Sequence, residues 1–203
     1  MVRIKPRDIQ LVQTLARFNK PYWSVTDLQK ILGYRSRQTL LVVLHRLVGQ
    51  GILTRMRRGV YRVATHSAET ALPANLLYTP SYLSFESALS HYGILSQIPY
   101  SVTFATTRRT KKMNLDGIAV EYRQLRKDLF FGHGIKKGLD IAEPEKALLD
   151  AVYLMKRGKL SLALEELDLS GLSHGKLKSY GSRFPGYVRS TLMNLLAKTR
   201  KGR

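Results

Sequence analysis

Of the chain's 203 residues, 44% are hydrophobic and 24% charged. That is the balance of a folding chain rather than a disordered one, and the length suits one large domain or two modest ones. Charge is the outlier: 34 Lys and Arg against 14 Asp and Glu leave a formal +20, with a pI near 10.4. A field of that sign attracts polyanions through counterion release, without separating DNA from RNA. A ribosome-associated role, an anionic membrane surface and plain solubility are the bland alternatives. There is no Cys, which excludes disulfides, a thiolate nucleophile and Cys-ligated zinc. The N-terminal residues lack the apolar core of a signal peptide, and the longest apolar run, residues 40–44, is far short of a membrane span. A soluble, cytoplasmic protein with no membrane contact is expected.

Residues 1–65 carry 13 Lys and Arg against 2 Asp and Glu, a net of +11 in a third of the length. Pro6 opens a first helix with Leu11, Leu15 and Phe18 on one face, Ile9 and Val12 adjoining, and Asn19-Lys20-Pro21 at its end. Tyr22 and Trp23 precede a second helix as core aromatics. Ser24 with Asp27 forms a capping box in its Asp form, Leu28, Ile31 and Leu32 repeat at helical spacing, and Gly33 offers a left-handed exit. Ser36 can cap a third helix. Leu40, Val43, Leu44 and Leu47 then make one buried stripe before Gly51 stops the helix. Residues 52–56 and 60–63 are strand-like runs joined across Arg57-Arg58-Gly59. Two short helices followed by an arginine-loaded hairpin predict a winged helix-turn-helix, whose usual partner is double-stranded DNA.

Residues 66–79 form an expected linker of Ser, Ala, Thr and Pro, separating a 1–65 DNA-binding domain from an 80–203 domain. In the second domain Ser84 can cap a helix with Phe85, Ala88, Leu89 and Tyr92 on one face, closed by Gly93. Residues 101–106 and 118–122 have strand alternation, and 128–131 suggest a third short strand. Glu143-Pro144-Glu145 starts a helix well, with Leu148, Ala151, Val152 and Met155 as its buried stripe. Further helices are expected over 160–167 and 188–198. The fold class is therefore α+β: a winged helix-turn-helix plus a small sheet covered by several helices.

With the leucine stripe facing in, the third helix presents Arg35, Ser36, Arg37, Gln38, Thr39, Val42, His45, Arg46 and Gly49 on its other side. Early residues of such a helix meet base edges in the major groove, where Gln suits adenine and Arg suits guanine. Arg37 can reach a base or a phosphate. Val42 is an apolar side chain on the wet face, either reading a thymine methyl or packing against another part of the protein. In the wing, Arg55, Arg57, Arg58 and Arg62 are suited to phosphate or a minor groove, adding affinity more than sequence reading. A second cluster, Arg108-Arg109-Thr110-Lys111-Lys112, is a phosphate contact, a partner surface or a solvated loop. Residues 198–203 make a basic tail.

Catalysis has little support, so no enzyme, cofactor or metal is expected. In Gly132-His133-Gly134-Ile135-Lys136-Lys137-Gly138 the third Gly falls one residue late for G-x-G-x-x-G, and no P-loop is present. The acid pairs Glu143/Glu145 and Glu165/Glu166 fall on expected exposed helix starts or faces. His133 and His174 have no metal-ligand partner at helical spacing. A nuclease or nucleotidyltransferase would need clustered acids for metal ions, and the few acids here are spent elsewhere. RNA stays open as a target, though no RNA-stacking motif is visible.

Residues 82–93 (YLSFESALSHYG), 102–105 (VTFA) and 141–150 (IAEPEKALLD) resemble the hallmarks of the AbiEi antitoxin family. Asp27-Leu28, residues 47–53 (LVGQGIL) and Arg58-Gly59-Val60-Tyr61 are similar to the winged helix of the same proteins, so the resemblance spans about residues 6–155. It implies a bacterial type IV antitoxin that represses its own operon at inverted repeats; the chain is expected to be a monomer in solution. It also implies that the second domain counteracts a nucleotidyltransferase toxin without a stable complex. A solitary winged-helix regulator whose second domain senses a ligand or dimerises is the alternative.

Overall fold

The computed structural model describes residues 6–18, 20, 22–64, 71–115 and 117–201, with the side chains of 6–9, 16 and 198–201 outside that description. Two compact units divide the chain: Met1–Glu69 with Asn114–Gly117, and Thr70–Met113 with Ile118–Arg203. The first holds helices α1 (Pro6–Ala16), α2 (Val25–Ile31) and α3 (Arg37–Gly49), with strands β1 (Trp23–Ser24), β2 (Leu53–Arg57) and β3 (Val60–Val63). The strands form a three-stranded sheet in the order β1-β3-β2, both pairings antiparallel. Leu11, Leu15, Trp23, Val25, Leu28, Leu40, Leu44, Leu47, Leu53 and Tyr61 are its buried core. Phe18, expected in that core, lies past the end of α1 and is 56% exposed, its ring set edge-on against Trp23 at 5.6 Å. Ile9, Asn19 and Pro21 lie outside the described residues or side chains.

The second unit carries a six-stranded sheet in the order β6-β7-β5-β4-β9-β8. Its elements are α4 (Ala71–Leu77), β4 (Ser81–Leu83), α5 (Phe85–His91), β5 (Ser101–Thr106), β6 (Lys111–Leu115), β7 (Ile118–Gln124), β8 (His133–Lys136), β9 (Leu139–Ala142), α6 (Pro144–Met155), α7 (His174–Gly181) and α8 (Gly186–Lys201). The sheet is mixed: β5/β7 and β4/β9 run parallel, β4/β5 and β8/β9 antiparallel.

Several elements differ from the sequence expectation, each for a local reason. Residues 71–77, read as linker, are helical because Ala74 and Asn75 are buried, with Asn75 Nδ2 donating to the Ser81 carbonyl at 2.6 Å. Residues 127–129 form a 3-10 turn instead of a strand. The glycine-rich stretch 132–138 is part of the β8–β9 hairpin, turned at Lys137 and Gly138, both at positive φ, the signature of a primed two-residue turn. Only 164–166 of the expected 160–167 helix is helical, as a 3-10 turn, and α7 follows where none was foreseen. The C-terminal helix continues through Lys201, so most of the supposed tail is helix.

Candidate nucleic-acid interface

The helix-turn-helix is held by local chemistry. The Ser24 hydroxyl accepts from the Asp27 amide at 3.1 Å while the Asp27 carboxylate accepts from the Ser24 amide at 3.0 Å, satisfying two amides that a helix start leaves without partners. Lys20 donates to that carboxylate at 3.0 Å, and this hydrogen bond is the chief reason the Asp27 carboxyl sits below its ordinary pKa. Gly33 takes φ +67 where the chain leaves α2. Gln29 Nε2 then donates to the Arg35 carbonyl, and the Ser36 hydroxyl caps α3 by accepting from the Thr39 amide at 3.3 Å.

Leu40, Leu44 and Leu47 are fully buried, which fixes the rotation of α3. Arg35, Ser36, Arg37, Gln38, Thr39, Val42 and His45 all face solvent, and Gln38, Val42, His45 and Gly49 make one stripe at helical spacing. Val42 is 67% exposed, so it does not pack within its own unit. Arg46, grouped with the exposed residues from the sequence, is half-buried in the last turn, where a cation also suits the helix dipole. A shallow depression beside this ridge is lined by Thr26, Gln29, Lys30, Gly33, Tyr34 and Arg35. Thr26 and Lys30 were not singled out from the sequence. Their signal was position: the first helix of such a pair crosses a nucleic-acid backbone.

The wing is aimed by a bulge. The β2/β3 register shifts between Arg55 and Arg57, so Met56 turns into the core while Arg55 and Arg57 both point out. Arg57 and Val60 pair across a two-residue loop in which Gly59 takes φ +78, a conformation that favours glycine. The Val25 amide donates to the Gly59 carbonyl at 3.0 Å, tying the wing tip to the start of α2. Arg55, Arg57 and Arg58 are exposed. Arg62 is half-buried, because β3 is the central strand.

The cluster at 108–112 is exposed throughout, but three of its cations have contacts. The Arg108 guanidinium and Lys111 ammonium lie 4.6 and 5.1 Å from the Tyr78 ring centroid, and Arg108 donates to the Thr79 carbonyl. Lys112 pairs with Glu121 at 2.8 Å. Arg109 is exposed, with its carbonyl accepting from the Tyr78 hydroxyl.

The residues behind the sequence resemblance in the second unit have a structural role that composition did not reveal. Lys146 and Asp150, one helical turn apart on α6, are both fully buried and in contact. Lys146 Nζ donates to the Tyr82 hydroxyl at 2.8 Å, and the Tyr82 and Ser84 hydroxyls donate to Asp150 Oδ2 at 2.9 Å each. Rings of Tyr82, Phe131 and Phe184 surround the ammonium at 5.0–5.3 Å. Burial pushes Asp150 up and Lys146 down from their ordinary pKa values, each partly offset by the other's charge. Ser84, foreseen as a helix cap, is diverted to this network and makes no cap bond. Phe85, next in sequence, takes φ +54 and is fully buried, a strained conformation for a bulky residue. Glu145, expected at an exposed helix start, is 5% exposed and accepts from the Ser173 amide at the head of α7. Glu143 accepts from Lys176 and Tyr180. His133 stacks on Tyr82 at 4.2 Å with Nδ1 2.8 Å from Asp140.

A capped helix-turn-helix followed by a twisted basic hairpin defines a winged-helix protein. Residues 10–64 match the family described as "Transcriptional regulator, AbiEi antitoxin", which shows the resemblance over the first unit and names a regulator family rather than an enzyme class. The crystal structure of the RV2827C protein from Mycobacterium tuberculosis superposes with a TM-score of 0.70 at 16% identity, covering 96% of this chain and 78% of that one. At that identity the likeness shows the mixed α+β fold. No curated protein matches the chain. No helix among the described residues is long and apolar enough to cross a membrane.

Proposed function

We propose that the chain is a cytoplasmic, DNA-binding transcriptional autorepressor, with residues 1–65 as the DNA-binding domain and 80–203 as the regulatory, antitoxin domain. What carries the proposal is the ridge of α3: three leucines bury one side of the helix while Arg35 to Thr39, Val42 and His45 stay in solvent. Laid in a major groove, Gln38 meets a base edge, Val42 a thymine methyl and Arg35 or Arg37 a guanine or phosphate. Thr26 and Lys30 of α2, with Arg55, Arg57 and Arg58 of the wing, take flanking phosphates. The operator is a set of inverted repeats in the gene's own promoter, bound by molecules that are monomers in solution.

Antagonism of a nucleotidyltransferase toxin without a stable complex is proposed from the family's description as an antitoxin. A solitary winged-helix regulator whose second domain senses a ligand or dimerises is the competing reading. Footprinting on the protein's own promoter at two salt concentrations tests the first half; an absence of protection at low salt refutes it. Growth rescue of cells expressing a neighbouring nucleotidyltransferase by this chain tests the second, and unrelieved toxicity at full expression refutes it.

A further inference from the structure

In a chain where Lys or Arg occurs about once in six residues, two long tracts contain neither: residues 63–107, 45 in number, and residues 160–175, 16 in number. They are far apart in sequence, yet they meet at one place in the second unit. A cleft of about 400 Å³ is lined wholly by residues of those two tracts, among them Leu95, Pro99, Leu162 and Ala163. Its charged lining residues are Glu86 and Glu166. Glu86 is bound to Arg123 at 2.7 Å, whereas Glu166 accepts from a neutral donor, Gln97 Nε2, at 3.0 Å. Glu165 and Asp168 are further exposed acids on the same short segment. At the mouth, Ile98 is 88% exposed and Tyr100 fully so, two large apolar side chains one residue apart on a loop.

Two large exposed apolar side chains beside an apolar-lined cleft make a contiguous patch of the kind that marks an interaction site. The local field also has the wrong sign for the polyanion that the rest of the chain attracts, because a nucleic-acid phosphate is repelled by Glu165 and Glu166. A small amine could sit between the carboxylates but would leave Ile98 and Tyr100 uncovered. We propose that this cleft and the Ile98–Tyr100 loop form a docking surface for a partner protein, engaging a segment whose apolar side chain enters the cleft between flanking Lys or Arg residues. Aromatic and aliphatic anchors inside a charged rim are the usual anatomy of such contacts. The surface lies within the second unit and does not depend on the DNA reading of the first.

The test uses the full chain and three labelled twelve-residue peptides: alternating Leu and Arg, alternating Leu and Glu, and oligolysine. A +20 protein repels basic peptides in general, so anisotropy showing the Leu/Arg peptide bound at least tenfold more tightly than the other two supports the proposal. Glu166→Lys, and separately Ile98→Ser with Tyr100→Ser, should each weaken that binding at least tenfold while leaving promoter affinity unchanged. All these positions are exposed, so the fold is not at stake. The proposal is overturned if Leu/Glu or oligolysine binds equally well, or if the variants bind the Leu/Arg peptide like the parent. It is also overturned if sedimentation velocity shows a dimer of the parent that the Ile98→Ser, Tyr100→Ser variant lacks, which would assign the surface to a second copy.

Discussion

Replacing Lys146 by Met removes an ammonium and keeps most of the hydrocarbon that packs among Tyr82, Phe131 and Phe184. Lys146 and Asp150 are both at 0% exposure, so the variant leaves a buried carboxylate without the cation that balances it. Breaking one side of a buried pair costs about 3–5 kcal/mol. The Tyr82 and Ser84 hydroxyls still donate to Asp150, which favours the lower end, about 3 kcal/mol at pH 7. Burial already holds the Asp150 carboxyl above its ordinary 3.8, and Lys146 pulls it back down; without Lys146 it rises further. A folded pKa raised above the unfolded one contributes stability at low pH, lost as pH rises through the folded value. The deficit of Lys146→Met is therefore largest at neutral pH and shrinks toward pH 5. Urea unfolding at both pH values, followed by near-UV circular dichroism, measures it, since eight of the 11 tyrosines fall within residues 71–201. Fluorescence of Trp23, the single tryptophan, checks that the first unit stays folded. A deficit under about 1 kcal/mol at pH 7, or equal deficits at both pH values, would refute the buried pair as the source of stability.

In the first unit, Gln38→Ala should cost about 1–3 kcal/mol at one operator base position and little on random DNA; equal losses on both would remove Gln38 from base reading. Arg57→Ala should weaken all sequences alike and flatten the log–log salt dependence by about one unit, measured by titration at several ionic strengths. Ser24→Ala breaks the capping box and should lower stability by about 1 kcal/mol, read from the Trp23 transition; an unchanged midpoint would show that the box is dispensable. The Lys176 hydrogen bond is the main cause holding the Glu143 carboxyl below its ordinary 4.5. Its contribution is present above that value and is lost as pH falls through the lower folded one, so Lys176→Ala should flatten acid unfolding below about pH 4.5.

The Ile141–Asp150 run becomes intelligible as a fastener between layers. Three acidic or basic side chains tie the run to its neighbours: Glu143 to Lys176 and Tyr180 on α7, Glu145 to the amide that opens α7, and Lys146 to Tyr82 on β4 and Phe184 before α8. Pro144 suits the first position of α6, where no amide partner is needed. Ala147 and Ala151 are fully buried, where small side chains let neighbouring elements come close. The motif thus specifies how helices cover the sheet, and substitutions in it should act on stability before they act on DNA affinity.

How much of this was legible in the sequence follows the range of the forces involved. The capping box at Ser24, the positive-φ exits at Gly33 and Gly51 and the leucine stripe of α3 all arise within a few residues, and the structure has each of them. The wing hairpin is equally local, although its bulge at Met56, which sets where Arg55 and Arg57 point, leaves no mark in the alternation of types. What stayed hidden depends on partners far along the chain. Residues 71–77 look like linker until Asn75 finds Ser81 and Asp140. Lys146 and Asp150 look like a solvated helix pair until Tyr82 and Ser84, more than sixty residues earlier, satisfy them. Short strands such as β8 and β9, four residues each, are too brief to show a period and form because β4 offers β9 a parallel edge. The exposed ridge of α3, the surface proposed for recognition, was readable because it is what remains when a helix buries one stripe. Sequence shows that division directly, whereas the second unit's chemistry lies in contacts that only folding brings together.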